Sequence, residues 1–412
     1  MHVAYIHQYF TTPDQKGGTR SYEMARRLID SGHRVSMIAG TSDLIGAEGK
    51  AGEVVPENVD GIEVYRIVEP YSNAMSFPRR WMAFLRFAKR AVLVIRGLEP
   101  VDVVFATSTP LTVGPAGRKA ARYHKAPLVF EVRDLWPELP IAMGIVKAAP
   151  LKWYLRRMEQ STYNAASRVV ALAPGIKDGI VEAGYPADRV PVIPNCSDLD
   201  LFQPAESNAE VDADPRFGRP GDFRLVFTGA HGLANGLDAV LDAANVLKAR
   251  GTTGVRFCFI GSGGLKPHLL ERAKAEGLED LTAWVDPVPK RELARILPQM
   301  DVGMMILKNV PAFYRGTSPN KFFDYLACGL PVLNNYPGWV GDYIRQARCG
   351  VVVEPDSPEA FADAVEDLRA RKEELPAMGQ NARKLAEEKF DRDKLANQLV
   401  SVLEEAASEG GR

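Results

Sequence analysis

Residues 315–332 read RGTSPNKFFDYLACGLPV, a polar loop followed by a short helical pattern and a strand. Pro319 can open the helix because its fixed φ suits the first turn. The hydroxyl of Thr317 or Ser318 can cap free backbone N–H groups there. Gly329 is expected to end the helix before the strand PVLNN. The stretch therefore predicts a capped helix that leads into a strand, as in an α/β sheet.

The predicted start of this helix carries groups that suit an anion. Lys321 and the free N–H groups of a helix N-terminus can hold a pyrophosphate, with Ser318, Pro319 and Asn320 beside it. Asp324, one turn further along, can accept a hydrogen bond from a sugar or ribose hydroxyl. The alternative is an ordinary capped helix, because capping residues occur at most helices.

The composition is that of a soluble globular protein long enough for two domains. The chain has 412 residues, of which 46% are hydrophobic and 25% charged, and its formal net charge is −1. This balance gives no reason to expect nucleic acid as a partner. Four widely spaced cysteines predict reduced thiols in a cytosolic protein, and the N-terminus shows no signal-peptide pattern.

Short apolar runs alternate with helical patterns along the chain, which predicts parallel sheets with crossover helices. Gly17 and Gly18 follow the first predicted strand, and Gly229 and Gly236 bound a loop after a later one. Glycines at these places let backbone amides approach a ligand closely, although the spacing is not that of a dinucleotide-binding fingerprint. We therefore expect ligands at the carboxyl ends of the strands.

A charged cluster follows the buried strand LVFEV. Glu131, Arg133 and Asp134 stand there beside a tryptophan and a proline, an unusual composition for a structural turn. We predict that these three residues are catalytic, and Arg133 can bind phosphate but cannot act as a base. Asp198 and Asp200 form a D-x-D without further ligands nearby, so neither a metal site nor a cofactor is expected.

Residues 76–98 combine six cations with aromatic and aliphatic side chains and contain no acidic residue. A basic, aromatic amphipathic helix is typical of an element that lies on a membrane surface. The alternative is a helix that packs its apolar face on the sheet and leaves its arginines in solvent. The predicted membrane or acceptor residues are Arg79, Arg80, Trp81, Phe84, Arg86 and Phe87.

These motifs resemble the family 4 retaining glycosyltransferases. LACGLPV matches the A-x-G-x-P-V part of the family signature, whose second Glu falls at Asp324 and whose first Glu falls at Gly316. The variant SPNKFFDYLA resembles the N-acetyl-L-fucosaminyl transferases of bacterial O-antigen and capsule assembly. The resemblance implies a GT-B fold, in which two Rossmann-like domains face each other across a cleft, and it places the nucleotide base near Val288.

The resemblance also implies a domain plan and a reaction. An N-terminal acceptor domain would span residues 1–205, a linker 206–220 and a donor domain 221–389, with a terminal helix over 390–412 that returns to the first domain. The donor would be a UDP-type nucleotide sugar, and the acceptor a polyprenyl diphosphate-linked saccharide at the cytoplasmic face of the inner membrane. The rival hypotheses are a GT-B sugar-nucleotide 2-epimerase and a non-catalytic nucleotide-sugar-binding subunit.

Overall fold

A computed structural model describes residues 1–15, 17–41, 49–72, 75–205 and 214–410. The chain divides into two compact units. The first consists of Met1–Pro194, Arg315–Ser318 and Asp393–Arg412, and the second of Asn195–Tyr314 and Pro319–Arg392. Within the described residues, no helix has both the length and the apolar character needed to cross a bilayer.

The first unit is an α/β sheet with helices between its strands. Its elements are β1 (His2–His7), α1 (Arg20–Asp30), β2 (Arg34–Gly40), β3 (Val54–Val59), β4 (Ile62–Ile67), α2 (Phe77–Arg96), β5 (Val103–Thr107), α3 (Val113–His124), β6 (Leu128–Val132), α4 (Glu138–Ala142), α5 (Ala149–Tyr163), β7 (Arg168–Ala171) and α6 (Pro174–Glu182). The described strands follow the order β3-β4-β2-β1-β5-β6-β7. All neighbours are parallel except β3 and β4.

Three neighbouring strands of this sheet, β1, β5 and β6, are buried on both faces. Every residue of β1, β5 and β6 is buried, which explains their continuous apolar runs. Because these neighbours are parallel, their carboxyl ends lie along one edge of the sheet. That edge brings His7, Thr107 and the residues after Val132 close together, although they are distant in the sequence.

The second unit has a parallel sheet with the described strand order β10-β9-β8-β11-β12-β13. Its elements are β8 (Phe223–Thr228), α7 (Asp238–Ala249), β9 (Val255–Ile260), α8 (Lys266–Ala275), β10 (Thr282–Val285), α9 (Lys290–Ile296), β11 (Val302–Met305), α10 (Pro311–Gly316), α11 (Asn320–Ala327), β12 (Val332–Asn334), α12 (Trp339–Ala347), β13 (Gly350–Val352), α13 (Pro358–Ala370) and α14 (Leu375–Lys389). The last two residues of α10 group with the first unit. The prediction of two parallel α/β units is confirmed.

The division between the units falls after Pro194, eleven residues before the predicted boundary at 205. The reason is that Ser197 bonds within the second unit: its backbone N–H donates to Phe390 O and its hydroxyl to Phe323 O. Most of the predicted linker, residues 206–213, lies outside the described residues. The last helix, α15 (Arg392–Gly410), groups with the first unit from Asp393 onward.

Candidate functional site

Lys321 is the centre of the candidate anion site in the second unit. It is the second residue of α11, and its ammonium lies 3.8 Å from the centroid of the Phe227 ring. Its hydrogen-bond partner is Asn235 Oδ1 at 3.4 Å, and it forms no ion pair among the described residues. A partly buried cation without a carboxylate is arranged to receive an anion from outside the chain.

Gly229 makes room for this lysine. The residue has φ +124°, and a Cβ built on it would lie 3.3 Å from Lys321 Cε and 3.5 Å from Nζ. Both the left-handed backbone and the narrow gap favour glycine here. The structure thus brings together Gly229 and Lys321, two of the predicted donor-binding residues that are 92 positions apart in the sequence.

The surroundings of Lys321 contain a second titratable group that the sequence analysis missed, His231. It is fully buried, and neither ring nitrogen has a hydrogen-bond partner in the described part of the chain. Burial, together with the nearby charges of Lys266 and Lys321, lowers the pKa of His231 to about 4. Burial also lowers the pKa of Lys321 to about 7. The site therefore carries a neutral imidazole beside an ammonium that titrates near neutrality.

This titration predicts a pH dependence for diphosphate binding. An anion binds the protonated lysine and raises its pKa above the free value of about 7. The apparent affinity for UDP should therefore be greatest below pH 7, and above it should fall by up to about tenfold per pH unit. Calorimetry between pH 6 and 9 measures this slope. The control is the Lys321→Arg variant, which is charged throughout this range, so its affinity should show no such fall and should report only the titration of UDP. Equal slopes of affinity against pH for the wild-type protein and this variant would contradict the assignment.

The remaining predicted residues around the loop after β8 have structural contacts of their own. Gly236 has φ +55°, and a Cβ there would lie within 3.0 Å of the backbone of Lys308, so packing accounts for this glycine. Val288 packs against the apolar core under α11. Both residues therefore have packing contacts within the second unit that account for them in this structure.

The start of α11 differs from the sequence prediction. The helix begins at Asn320, so Pro319 occupies the N-cap position and supplies no side-chain cap. Ser318, expected as a cap and a donor contact, groups with the first unit, whereas Pro319, Asn320 and Lys321 belong to the second. Pro319 has extended backbone (φ −81°, ψ 124°), which is why the helix starts one residue later than its ring would permit.

Asp324 lies one turn beyond Lys321 and is buried. Burial raises the pKa of its carboxyl to about 6; the charge of Lys290 opposes this shift and that of Asp198 adds to it. Lys290 opens α9, two residues after Val288. The predicted ribose ligand therefore lies near the segment that was expected to contact the base.

The D-x-D motif serves the chain itself. Arg392 donates to Asp198 at 2.6 Å and to Asp200 at 2.7 Å, so both carboxylates are occupied by one guanidinium. Among the described residues, no three His, Cys, Asp or Glu side chains are grouped as metal ligands.

In the first unit, Glu131, one of the predicted catalytic residues, is held by contacts within the chain. The side chain is fully buried, and Arg20 donates to its Oε1 at 2.8 Å while Thr107 donates to its Oε2 at 2.6 Å. Burial opposes ionisation, but the charges of Arg20 and Arg133 outweigh it and lower the pKa of the carboxyl. Glu131 thus has both oxygens engaged and cannot contact a substrate without breaking this pair.

Arg133 and Asp134 lie at the carboxyl edge of the same sheet and are only partly buried. The Arg133 N–H donates to Ser108 Oγ at 3.0 Å, and its guanidinium lies 2.9 Å from His7 Nε2. Burial raises the pKa of Asp134, against the charge of Arg133, and its side chain forms no hydrogen bond or ion pair within the described residues. These two residues remain candidates for contact with a substrate.

The glycine loop after β1 belongs to this same unit. Gly17 and Gly18 are exposed, and Gly17 has φ +134°. Thr11 donates a hydrogen bond to Gly18 O at 2.9 Å, which holds the loop in front of α1. Exposed backbone at the end of a central strand is accessible to a ligand.

The segment predicted to lie on a membrane forms the helix α2, but its aromatic residues are less exposed than that prediction requires. Phe84 and Phe87 are buried at 4% and 0% exposure, so for these two the core-facing alternative is correct. Trp81 is partly buried against a core cluster that includes Leu155 of α5. Arg79 and Arg86 are exposed, and Arg80 is partly buried. The exposed large apolar residues of the helix are instead Met82 at 50%, Leu85 at 37% and Leu93 at 57%.

Comparison with known proteins agrees with this architecture. Residues 17–196 match the family model described as glycosyl transferase 4-like domain, and residues 222–371 match that described as glycosyl transferases group 1. The crystal structure of Anabaena HepE in complex with UDP and glucose superposes with a TM-score of 0.71, at 16% identity, over 98% of this chain and 100% of that one. Glycosyltransferase family models thus match the larger part of each half of the chain, and its fold is the GT-B fold.

Two curated relatives are similar in sequence to this chain over half of its length or more. A D-inositol 3-phosphate glycosyltransferase of Paenarthrobacter aurescens is 31% identical over 51% of this chain and 50% of its own length. A putative colanic acid biosynthesis glycosyl transferase of Escherichia coli, WcaI, is 23% identical over 73% of each chain. The chain thus spans only half the length of the first relative. The resemblance to N-acetyl-L-fucosaminyl transferases stays a prediction.

Proposed function

We propose that this protein is a retaining glycosyltransferase that uses a UDP-type nucleotide sugar. The observation that carries the proposal is the ammonium of Lys321, which is partly buried at the carboxyl edge of the second sheet and has no carboxylate partner among the described residues. A donor diphosphate supplies the missing negative charge. The same ammonium stabilises the charge that develops on the leaving UDP, without a metal or a cofactor.

The other donor contacts follow from this anchor. Asn320, exposed beside Lys321, extends the diphosphate site, and Asp324 accepts from a ribose hydroxyl, while the contact of Ser318 with the donor stays a prediction. For the first unit we propose that Asp134 contacts the sugar ring, Arg133 the acceptor and the exposed Gly17–Gly18 loop the donor. The transferred sugar is an N-acetylated hexosamine or deoxyhexosamine, as the resemblance of SPNKFFDYLA implies.

The acceptor we propose is a polyprenyl diphosphate-linked saccharide in surface polysaccharide assembly. The printed name of the Escherichia coli relative, which concerns colanic acid biosynthesis, supports a polysaccharide pathway. The exposed side chains of the first unit support an acceptor held in a membrane. Leu85 on α2 and Trp153 and Tyr154 on α5 are apolar side chains left in solvent, at 37%, 65% and 49% exposure. The same two helices and the residue stretch before α5 carry exposed cations at Arg79, Arg86, Lys89, Lys147, Arg156 and Arg157, of which Arg86 pairs with Glu69 and Arg156 with Glu138.

An assay of UDP release tests the function and separates its rivals. The protein is incubated with each of a panel of UDP-N-acetylhexosamines, with and without a polyprenyl diphosphate-linked sugar. We expect UDP release only when the acceptor is present, with the anomeric configuration retained in the product. Acceptor-independent conversion of the nucleotide sugar would indicate a 2-epimerase. UDP binding without turnover of any donor would indicate a binding subunit.

The proposed membrane-binding surface predicts the effect of replacing its exposed apolar residues. Replacing Met82, Leu85, Trp153 and Tyr154 with Ser should abolish sedimentation with anionic vesicles, because each buried apolar side chain contributes about 1.5–3 kcal/mol in an apolar environment. Binding should also weaken with salt, since cations near an anionic surface contribute about 1 kcal/mol each. The matched control is Leu270→Ser, an equally exposed apolar residue of α8 in the second unit. Unchanged sedimentation of the quadruple variant would reject this surface.

A further inference from the structure

The contact between His7 and Arg133 fixes the protonation of a buried histidine. Arginine has only donors, so the Arg133 guanidinium, 2.9 Å away, must donate to His7 Nε2. Burial lowers the pKa of His7 well below its usual value, and Arg133 lowers it further, so the ring is neutral. Its one proton is therefore on Nδ1, which donates to Ser21 Oγ at 2.7 Å.

Because His7 is neutral, it does not compensate the charge of Arg133, which acts at longer range on Glu131 and Asp134. Arg133 forms no ion pair in the part of the chain that the structure describes, and the nearby carboxylate of Glu131 is occupied by Arg20 and Thr107. The guanidinium has five N–H donors in a planar fork, and the side-chain bond to His7 uses one nitrogen. The remaining donors are available to a group from outside the chain.

The position of this guanidinium is set from three strands. His7 ends β1, Ser108 follows β5 and Arg133 follows β6, and these strands are neighbours in the sheet. The Arg133 backbone is held by Ser108 Oγ and its side chain by His7 Nε2. Ligands of open α/β sheets bind at this carboxyl edge. The guanidinium of Arg133 is therefore held in position at the edge of the sheet where substrates bind.

We propose that Arg133, positioned by His7, is a subsite for an oxyanion of the substrate, either the diphosphate of a lipid-linked acceptor or the carboxylate of an acidic sugar. The inference rests on the proposed function, because it assigns the charged group to a glycosyl acceptor or donor. Arginine matches both oxyanions with two parallel N–H···O bonds, which a lysine cannot reproduce. His7 acts through Arg133 and is a positioning residue.

Calorimetric titration of the full chain tests this subsite. The Lys321→Met variant is used throughout so that the donor anchor cannot bind the probe, and inorganic pyrophosphate and glucuronate are titrated separately. We expect one of the two anions to bind, which identifies the source of the charge. Adding Arg133→Gln should weaken that binding about tenfold or more, whereas Arg118→Gln, an exposed arginine of α3, should leave it unchanged.

The role of His7 is tested by rescue on the same background. His7→Phe keeps a ring but removes the acceptor, so it should weaken anion binding about as much as Arg133→Gln. His7→Gln restores an acceptor near the Nε2 position and should recover most of the affinity, a result that a merely structural role of the ring does not produce. Binding of neither anion, or binding unaffected by Arg133→Gln, would overturn the proposal. Failure of the wild-type protein to bind UDP would instead reject the donor site alone.

Discussion

Replacement of Lys321 by Met should weaken UDP binding by ten- to a hundredfold. A hydrogen bond from a charged donor to phosphate contributes about 1.5–3 kcal/mol, and methionine keeps the apolar stem over the Phe227 ring while removing the charge. The loss should be the same for UDP and for a UDP sugar, because both carry the diphosphate. Binding of uridine, which carries no phosphate, should be almost unaffected. Calorimetry with the three ligands measures these differences.

The control for this variant is Lys274→Met, an exposed lysine of α8 in the same unit. It changes the net charge equally but lies outside the site, so it reports long-range electrostatics, which added salt screens. If the two variants lose equal affinity, or if Lys321→Met loses none, Lys321 is not the phosphate anchor.

The Glu131→Gln variant should lower the free energy of unfolding of the first unit by about 3–5 kcal/mol, because it leaves the buried Arg20 charge without a counter-charge. The pKa of Glu131 is lowered in the folded state. Its ionisation therefore stabilises the fold above the unfolded pKa, and this stabilisation is lost as the pH falls toward the folded value. Urea unfolding, with hydrogen exchange resolved to the first unit, measures the loss.

Two comparisons isolate the buried pair. Asp30→Asn breaks the exposed pair with Arg26 on α1 and should cost about 0.3–0.5 kcal/mol. Replacing Arg20 with Met together with Glu131→Gln should recover part of the loss, because no buried charge then remains unpaired. A loss for Glu131→Gln no larger than that for Asp30→Asn would contradict the structural assignment.

The parallel α/β fold was predictable because each element left a local pattern. The buried strands are continuous apolar runs, and the glycine loops after β1 and β8 mark the connections from these strands to the following helices. Lys321 could also be identified, because a lysine after a polar loop suggests anion binding before any tertiary contact is known. Its contact with Gly229 required the structure, since no local pattern relates residues 92 apart.

The sequence could not show which side chain pairs with which in the fold. Glu131 and Arg133 are both charged and two positions apart, a spacing that places them on the same face of a strand and does not distinguish them. Only the fold shows that Arg20, 111 positions away, occupies Glu131, whereas Arg133 bonds to a neutral histidine. His7 left no signal, because a histidine at the end of an apolar run reads as an ordinary buried residue.

The helix α2, predicted to lie on a membrane, shows a limit of composition as evidence. Aromatic and basic residues alternate on α2, but its helical period turns Phe84 and Phe87 toward the core and leaves Met82 and Leu85 in solvent. Composition predicted the helix but did not show which of its side chains are exposed. The neighbouring α5 contributes the larger exposed aromatic side chains, Trp153 and Tyr154, which the weaker pattern at residues 152–160 only suggested.

The most direct test of the central claim is a crystal structure of the protein with UDP. The account predicts a diphosphate oxygen about 2.7–2.9 Å from Lys321 Nζ, the distance of a charge-assisted hydrogen bond, with the ribose toward Asp324. UDP bound with its diphosphate away from Lys321, or bound in the first unit, would contradict the account.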